Sequence, residues 1–244
     1  MEAKGILKVF DTAELLSEAA ADFVIHLAAE SIEQRGRFVI SLSGGNTPGK
    51  LYCLLATPVL KHQIEWNKTF IFWGDERCVP SDDERNNAYM AKLLLLDKID
   101  IPAANIYPVP VDLPPAEAAG AYEQTLKAFF RQSEPRFDLI LLGLGNDGHT
   151  ASLFPGTPVL DEVKNLVKEV YVVEQQMFRI TMTAPLINQA RNVTFLVTGK
   201  EKAAIMKAML GNSIQTDKYP AQLIKPVNGN LFWFIDREAG SALK

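Results

Sequence analysis

The chain has 244 residues, 48% hydrophobic and 22% charged, which suits one α/β domain over residues 1–244 with a core that needs no staples. A net charge of −4 gives no global basic field for nucleic acid, although a local cluster of Lys, Arg and backbone N–H groups can still bind phosphate. Cys53 and Cys78 form neither a disulfide framework nor metal-ligand spacing, no apolar run approaches the ~18 residues of a membrane span, and the first residues lack a signal-peptide pattern. The chain therefore reads as cytoplasmic and independent of a membrane.

In chain order, residues 12–34 carry apolar positions at helical spacing, with Thr12 or Asp11 as the cap and Gly36 as the stop. Phe38–Leu42 is a β-branched run that predicts a buried strand. Pro48 opens a helix over 49–56, and residues 69–76 form a second strand. Helices are expected at 86–96 and 115–132. The most apolar strand is 137–143, and further strands are expected at 167–174, 191–199 and 229–236. A helix over 200–210 ends at Gly211. Strands alternating with helices, nearly all apolar, predict a mostly parallel sheet covered on both faces. Trp66, Trp73 and Trp233 read as core aromatics, and His26 and His62 as structural or exposed.

Each segment rich in glycine and polar residues follows a strand. These are 43–49, 73–87, 143–152 and 198–203. Right-handed crossovers would gather them on one edge of the sheet, where ligands bind in such folds. In SGGNTPG, Gly44 and Gly45 let the backbone approach a ligand, and Ser43, Asn46 and Thr47 add donors. The structural alternative is an ordinary strand-to-helix turn. It is not a Walker A loop, since GK[ST] is missing.

The stretch LILLGLGNDGHTASLFPG, 139–156, reads as a strand, a glycine turn and a helix. Gly143, Gly145 and Gly148 match the GxGxxG dinucleotide fingerprint. Two features count against a dinucleotide. The turn lies in mid-chain, and Asp147 would face a pyrophosphate. A catalytic turn fits better, with His149 suited to acid–base work near neutral pH and Gly148 relaxing the backbone beside Asp147. The alternative is a histidine that caps a helix.

In DER, Asp75 is placed to hydrogen-bond sugar hydroxyls, and the planar fork of Arg77 to meet a carboxylate, phosphate or oxyanion. A solvated ion-pair group is the ordinary alternative, and SDDER, 81–85, reads as a solvated loop. Arg179 and Lys202 would ordinarily be surface charge. A cation at a helix N-terminus is disfavoured by the dipole, so Lys202, with Lys200 nearby, points to a bound anion.

Taken together, SLSGGNTP, FWGDERCVPSDDERNN, DLILLGLGNDGHTASLFPGTP, RITMTAPLINQARNVTFLVTGKEKA and YPAQLIKPVNGNLFWFID resemble the 6-phosphogluconolactonase family, in the family's order and over nearly the whole chain. Asn86 departs from the family's usual serine. The resemblance implies a three-layer α/β/α, Rossmann-like fold, shared with glucosamine-6-phosphate deaminases and ribose-5-phosphate isomerases. It implies hydrolysis of 6-phospho-D-glucono-1,5-lactone in the oxidative pentose phosphate pathway, with no nucleotide and no required metal. The partner implied is the sugar-phosphate lactone alone, bound by a monomer or small homo-oligomer.

The residue chemistry agrees with that reaction, which needs a phosphate anchor, a base and oxyanion stabilisation. Ser43, Gly44, Gly45, Asn46, Thr47, Arg179 and Lys202 are candidates for the anchor, with Asp75 as a further substrate contact. His149 is the candidate base. Asp147 either orients it or binds a hydroxyl, and Arg77 either polarises the carbonyl or contacts phosphate. No GxSxG elbow suggests an acyl-enzyme. A deaminase would carry an acid shortly after the histidine, where this chain has SLFPG. A sugar-phosphate sensor would need a DNA-binding domain, for which there is no spare length.

Overall fold

The structure, a computed structural model, describes residues 5–131, 134–211 and 213–243. Its strands are Ile6–Phe10 (β1), Phe38–Leu42 (β2), Thr69–Trp73 (β3), Asp75–Arg77 (β4), Leu139–Leu142 (β5), Val167–Val172 (β6), Met177–Met182 (β7), Asn192–Val197 (β8) and Asn230–Asp236 (β9). Its α-helices are Ala13–Arg35 (α1), Asn46–Leu55 (α2), Asn87–Leu94 (α3), Pro115–Phe129 (α4), Ala184–Ile187 (α5) and Ala203–Leu210 (α6). Six strands form one parallel sheet in the order β1-β9-β8-β5-β2-β3. With its flanking helices this is the expected α/β fold.

The apolar strands are buried on both faces, as a covered parallel sheet requires. Every residue of β2 and β5 is buried. In α1, Leu16, Ala20, Val24, Ala28 and Ile32 recur every four residues and face the core. Thr12 Oγ1 caps α1 by accepting from Leu15 N at 3.2 Å, and Gly36 ends it with φ 73°. Asp138 ties the end of α1 to the sheet. It accepts from Arg35 Nε at 2.9 Å and from Val39 N at 2.9 Å. Trp66, Trp73 and Trp233 are buried, whereas His26 and His62 are exposed.

Several expectations need correction. The strand expected over 69–76 breaks at Gly74. Gly74 N donates to Leu42 O in the parallel sheet at 3.0 Å, and Gly74 O accepts from Met182 N at 2.8 Å. The chain thus passes from one sheet to another, and β4 joins an antiparallel sheet of order β4-β7-β6. The strand expected over 167–174 is β6 of this second sheet, not a member of the parallel one. Strands β1 and β7 and the short helix α5 are additional elements. β1 escaped notice because it is an edge strand, with Ile6, Leu7 and Val9 all exposed.

Helix α2 begins at Asn46, so Pro48 lies inside its first turn instead of opening it. The last residues of the helix expected over 115–132 differ as well: α4 ends at Phe129, and Gln132 lies outside the described residues. The helix expected over 200–210 begins as a 3-10 turn, Lys200–Lys202.

No helix follows the GxGxxG glycines. Residues 143–157 close on themselves, with Gly145 N donating to His149 O at 2.8 Å and Thr150 Oγ1 to Gly143 O at 2.8 Å. Ala151 is left-handed, φ 47°, which a helix cannot accommodate. The pyrophosphate site of a dinucleotide fold needs a helix N-terminus at this turn, and the turn has none.

Candidate active site

The chain runs from β2 to β3 in one direction, then crosses to β5 on the other side of β2 and continues through β8 to β9. This reversal opens a crevice between the carboxyl ends of β2 and β5, where open α/β sheets bind ligands. The four segments singled out above leave the ends of β8, β5, β2 and β3, which are consecutive in the sheet. They enclose a cleft of about 510 Å³. Ser43, Gly44, Gly45, Asn46 and Thr47 line it, with Asp75, Arg77, His149, Arg179 and Lys202. Asp147 does not line the cleft but stands directly behind His149.

The loop after β2 is held from beneath. Tyr52 of α2 is fully buried, donates to Ser43 O at 2.7 Å and accepts from Ser43 N at 3.0 Å. Thr47 Oγ1 lies 2.7 Å from Thr198 Oγ1, which joins this loop to the end of β8. Gly44 must be glycine for a steric reason. A Cβ there would sit 1.9 Å from Asn87 Oδ1.

In the loop after β5, His149 Nδ1 lies 2.5 Å from Asp147 Oδ1, and the same oxygen accepts from His149 N at 3.1 Å. Burial pushes the Asp147 carboxyl up, but its bonds to His149 outweigh this and hold it below the ordinary carboxylate value. An ionised Asp147 accepts the Nδ1 proton, which leaves the lone pair on Nε2. Gly145 admits this pair, since a Cβ there would meet His149 Nδ1 at 2.1 Å. The imidazole stacks on Phe154 with ring centroids 4.0 Å apart.

Arg179, on β7, reaches the cleft from the second sheet. Its guanidinium carbon lies 5.3 Å from the centroid of the Phe154 ring, a cation–π contact. Its Nη1 is 3.4 Å from Asp75 Oδ2, and both residues are buried. Burial weakens the hold of Arg179 on its proton and Asp75 counters that, so the guanidinium stays charged. Asp75 Oδ2 also accepts from Ser152 Oγ at 2.6 Å. Lys202 Nζ donates to Asn146 Oδ1 at 2.7 Å, beside Asp147. Burial lowers the Lys202 pKa. Lys200 is exposed and lies off the cleft. Arg77 donates from Nη1 to Arg85 O at 2.6 Å.

Sequence reasoning passed over four residues that organise the cleft: Glu76, Asn87, Ser152 and Phe154. Strand alternation was the available signal for Glu76, since it must point away from the face shared by Asp75 and Arg77. Asn86 caps α3 by accepting from Tyr89 N at 2.8 Å. Among the described residues, no three His, Cys, Asp or Glu side chains gather as a metal site, and no helix is long and apolar enough to cross a membrane.

Residues 11–233 match the model of the family described as glucosamine-6-phosphate isomerases/6-phosphogluconolactonase. The chain is 43% identical over 235 residues to a 6-phosphogluconolactonase of Synechocystis, covering 95% of both chains. It is 39% identical to a 6-phosphogluconolactonase of Nostoc, covering 98% of this chain and 99% of that one. The solved structure of a 6-phosphogluconolactonase of Trypanosoma brucei superposes with a TM-score of 0.86 at 30% identity, over 98% of this chain and 99% of that one. A monomeric glucosamine-6-phosphate deaminase shares the fold at 22% identity, with a TM-score of 0.83.

Proposed function

Because the chain belongs to the glucosamine-6-phosphate isomerase/6-phosphogluconolactonase family and hydrolyses 6-phospho-D-glucono-1,5-lactone to 6-phosphogluconate, we propose that His149 is the general base of that hydrolysis. The observation that carries this reading is the Asp147–His149 pair at 2.5 Å, set on the cleft that also holds the Ser43–Thr47 loop and three buried or half-buried cations, Arg77, Arg179 and Lys202.

The substrate phosphate sits against the backbone N–H groups of Ser43–Thr47, with Arg179 and Lys202 as its counter-charges. Asp75 orients Arg179 and accepts from a sugar hydroxyl. Water attacks the lactone carbonyl as its proton passes to His149 Nε2. Asp147 holds the imidazole and stabilises the imidazolium that forms. Arg77 stabilises the negative charge that grows on the carbonyl oxygen. The tetrahedral intermediate then collapses. The bond from C1 to the ring oxygen breaks, and His149 returns its proton to that oxygen. The new carboxylic acid ionises to give 6-phosphogluconate. A single domain is supported by a cleft that draws on segments from residue 43 to residue 202.

The test follows the loss of freshly generated 6-phosphogluconolactone against its spontaneous hydrolysis. Wild type, His149→Ala and unphosphorylated gluconolactone are compared. Acceleration that needs both His149 and the phosphate supports the proposal. Wild-type rates in His149→Ala would remove the base assignment. Ammonia release from glucosamine 6-phosphate would instead favour a deaminase.

A further inference from the structure

The middle residue of DER does not line the cleft, yet its carboxylate accepts three backbone N–H bonds beside it. Glu76 is fully buried on β4, between Asp75 and Arg77, both of which line the cleft. One of its carboxylate oxygens accepts from Asn87 N at 2.7 Å and from Arg77 N at 2.8 Å. The other accepts from Ala88 N at 2.8 Å. Asn87 and Ala88 open α3, so the carboxylate occupies the helix N-terminus that an external anion would otherwise take. The contacts continue outward. Asn87 Nδ2 donates to Asp75 O at 2.9 Å, and Asn87 Oδ1 fills the space beside Gly44. One buried side chain thereby joins the DER strand, the start of α3 and the anion loop.

We propose that Glu76 is a positioning residue whose negative charge clamps α3 to β4 and so sets Asp75, Arg77 and the Gly44 loop in their working arrangement. This rests on the cleft being the lactone site.

The clamp depends on ionisation. A carboxylate accepts all three N–H bonds, whereas a protonated acid must turn one oxygen into a donor that faces an N–H. Burial pushes the Glu76 carboxyl up to about 7, against the lowering effect of the three N–H groups, with Asp75 adding to the rise. The other ionisable groups that feel its charge are Cys78 on its own segment, Arg179 on β7 and Tyr122 on α4, while the neighbouring Arg77 side chain lies on the opposite face of the strand. Cys78 and Tyr122 are neutral in this range, their protons held more firmly by burial and by Glu76 itself. The clamp is therefore weak in mild acid and complete in mild base.

The experiment measures kcat/KM for wild type and Glu76→Gln from pH 5.5 to 8.5 and takes their ratio. Ionisations common to both proteins cancel in the ratio. The ratio should rise from near one in acid to about tenfold or more in base. A flat ratio would overturn the proposal, because loss of a purely structural side chain has no reason to follow this titration. Should Glu76→Gln not fold, wild type alone still decides. The amide resonances of Arg77, Asn87 and Ala88 should titrate together with one midpoint near neutral pH, and the absence of a common titration would overturn the clamp. An inactive wild type with a normal amide titration would instead count against the lactone reading of the cleft.

Discussion

Asp147 Oδ1 accepts from both the backbone N and the ring Nδ1 of His149, so one oxygen fixes where the imidazole is and which nitrogen carries the proton. The unshared lone pair is on Nε2. His149→Ala should lower kcat by about 10²–10⁴-fold with little change in KM, since a base acts mainly in the transition state. Asp147→Asn should lower kcat too, because an amide can present its NH₂ group to Nδ1 and favour the wrong tautomer. Steady-state kinetics on both variants check this, and an unchanged kcat in either would remove that residue from its role.

Gly145 offers a way to disturb the pair without touching it. The Cβ of Gly145→Ala would lie 2.4 Å from Asp147 Oδ1 and 2.1 Å from His149 Nδ1. The expected outcome is a large loss of kcat while circular dichroism stays native. Full activity would mean the loop yields without moving the imidazole.

Arg179 and Asp75 are a buried pair, so cutting one side strands the other. Arg179→Ala should raise KM strongly and cost about 3–5 kcal/mol of stability, the usual cost of an unpaired buried charge. Lys202 is only half-buried, and Lys202→Ala should raise KM with little loss of stability. Urea unfolding beside kinetics separates the two. Equal stability losses would contradict the burial difference.

Glu76 has a consequence for stability with a definite sign. Its folded-state value is about 7 against an ordinary 4.5, so the folded chain holds a proton that the unfolded chain has released between those pH values. Folding stability from this group therefore falls as pH rises from about 4.5 to 7, by at most about 1.4 kcal/mol per pH unit. Urea unfolding at pH 5 and pH 7.5 should show a smaller decline in Glu76→Gln than in wild type. An equal decline would place the group's titration elsewhere.

Asn86 caps α3 through its side-chain oxygen. Asn86→Ser should be nearly neutral, and Asn86→Ala should cost about 1 kcal/mol. Thermal unfolding measures both. A loss of kcat/KM in Asn86→Ser would show that the amide does more than cap.

Much of the cleft was legible in the sequence because strand ends announce themselves. An apolar run such as Leu139–Leu142 followed by Gly143 marks where a buried strand meets solvent. Four such ends carried nearly every polar candidate, and a parallel sheet brings those ends to one edge. The second sheet was harder to see. Strand β7 has polar Arg179 and Thr181 on one side, both buried by partners distant in sequence. The break at Gly74 carried the same glycine signal, but with a single residue between TFIFW and DER the stretch reads as one continuous strand. Glu76 looked like surface charge because its partners are backbone N–H groups, which no residue pattern reveals.

The bond between Thr47 and Thr198 spans 151 residues of chain. No contiguous fragment shorter than residues 43–202 can therefore contain the cleft. During folding the site should be among the last features to appear, after the distant strand ends have met. Binding and global unfolding then report on one cooperative unit. A ligand at a hundredfold excess over its Kd should stabilise the entire fold by about 2.7 kcal/mol. The melting temperature of the whole protein thus serves as a gauge of what occupies one crevice.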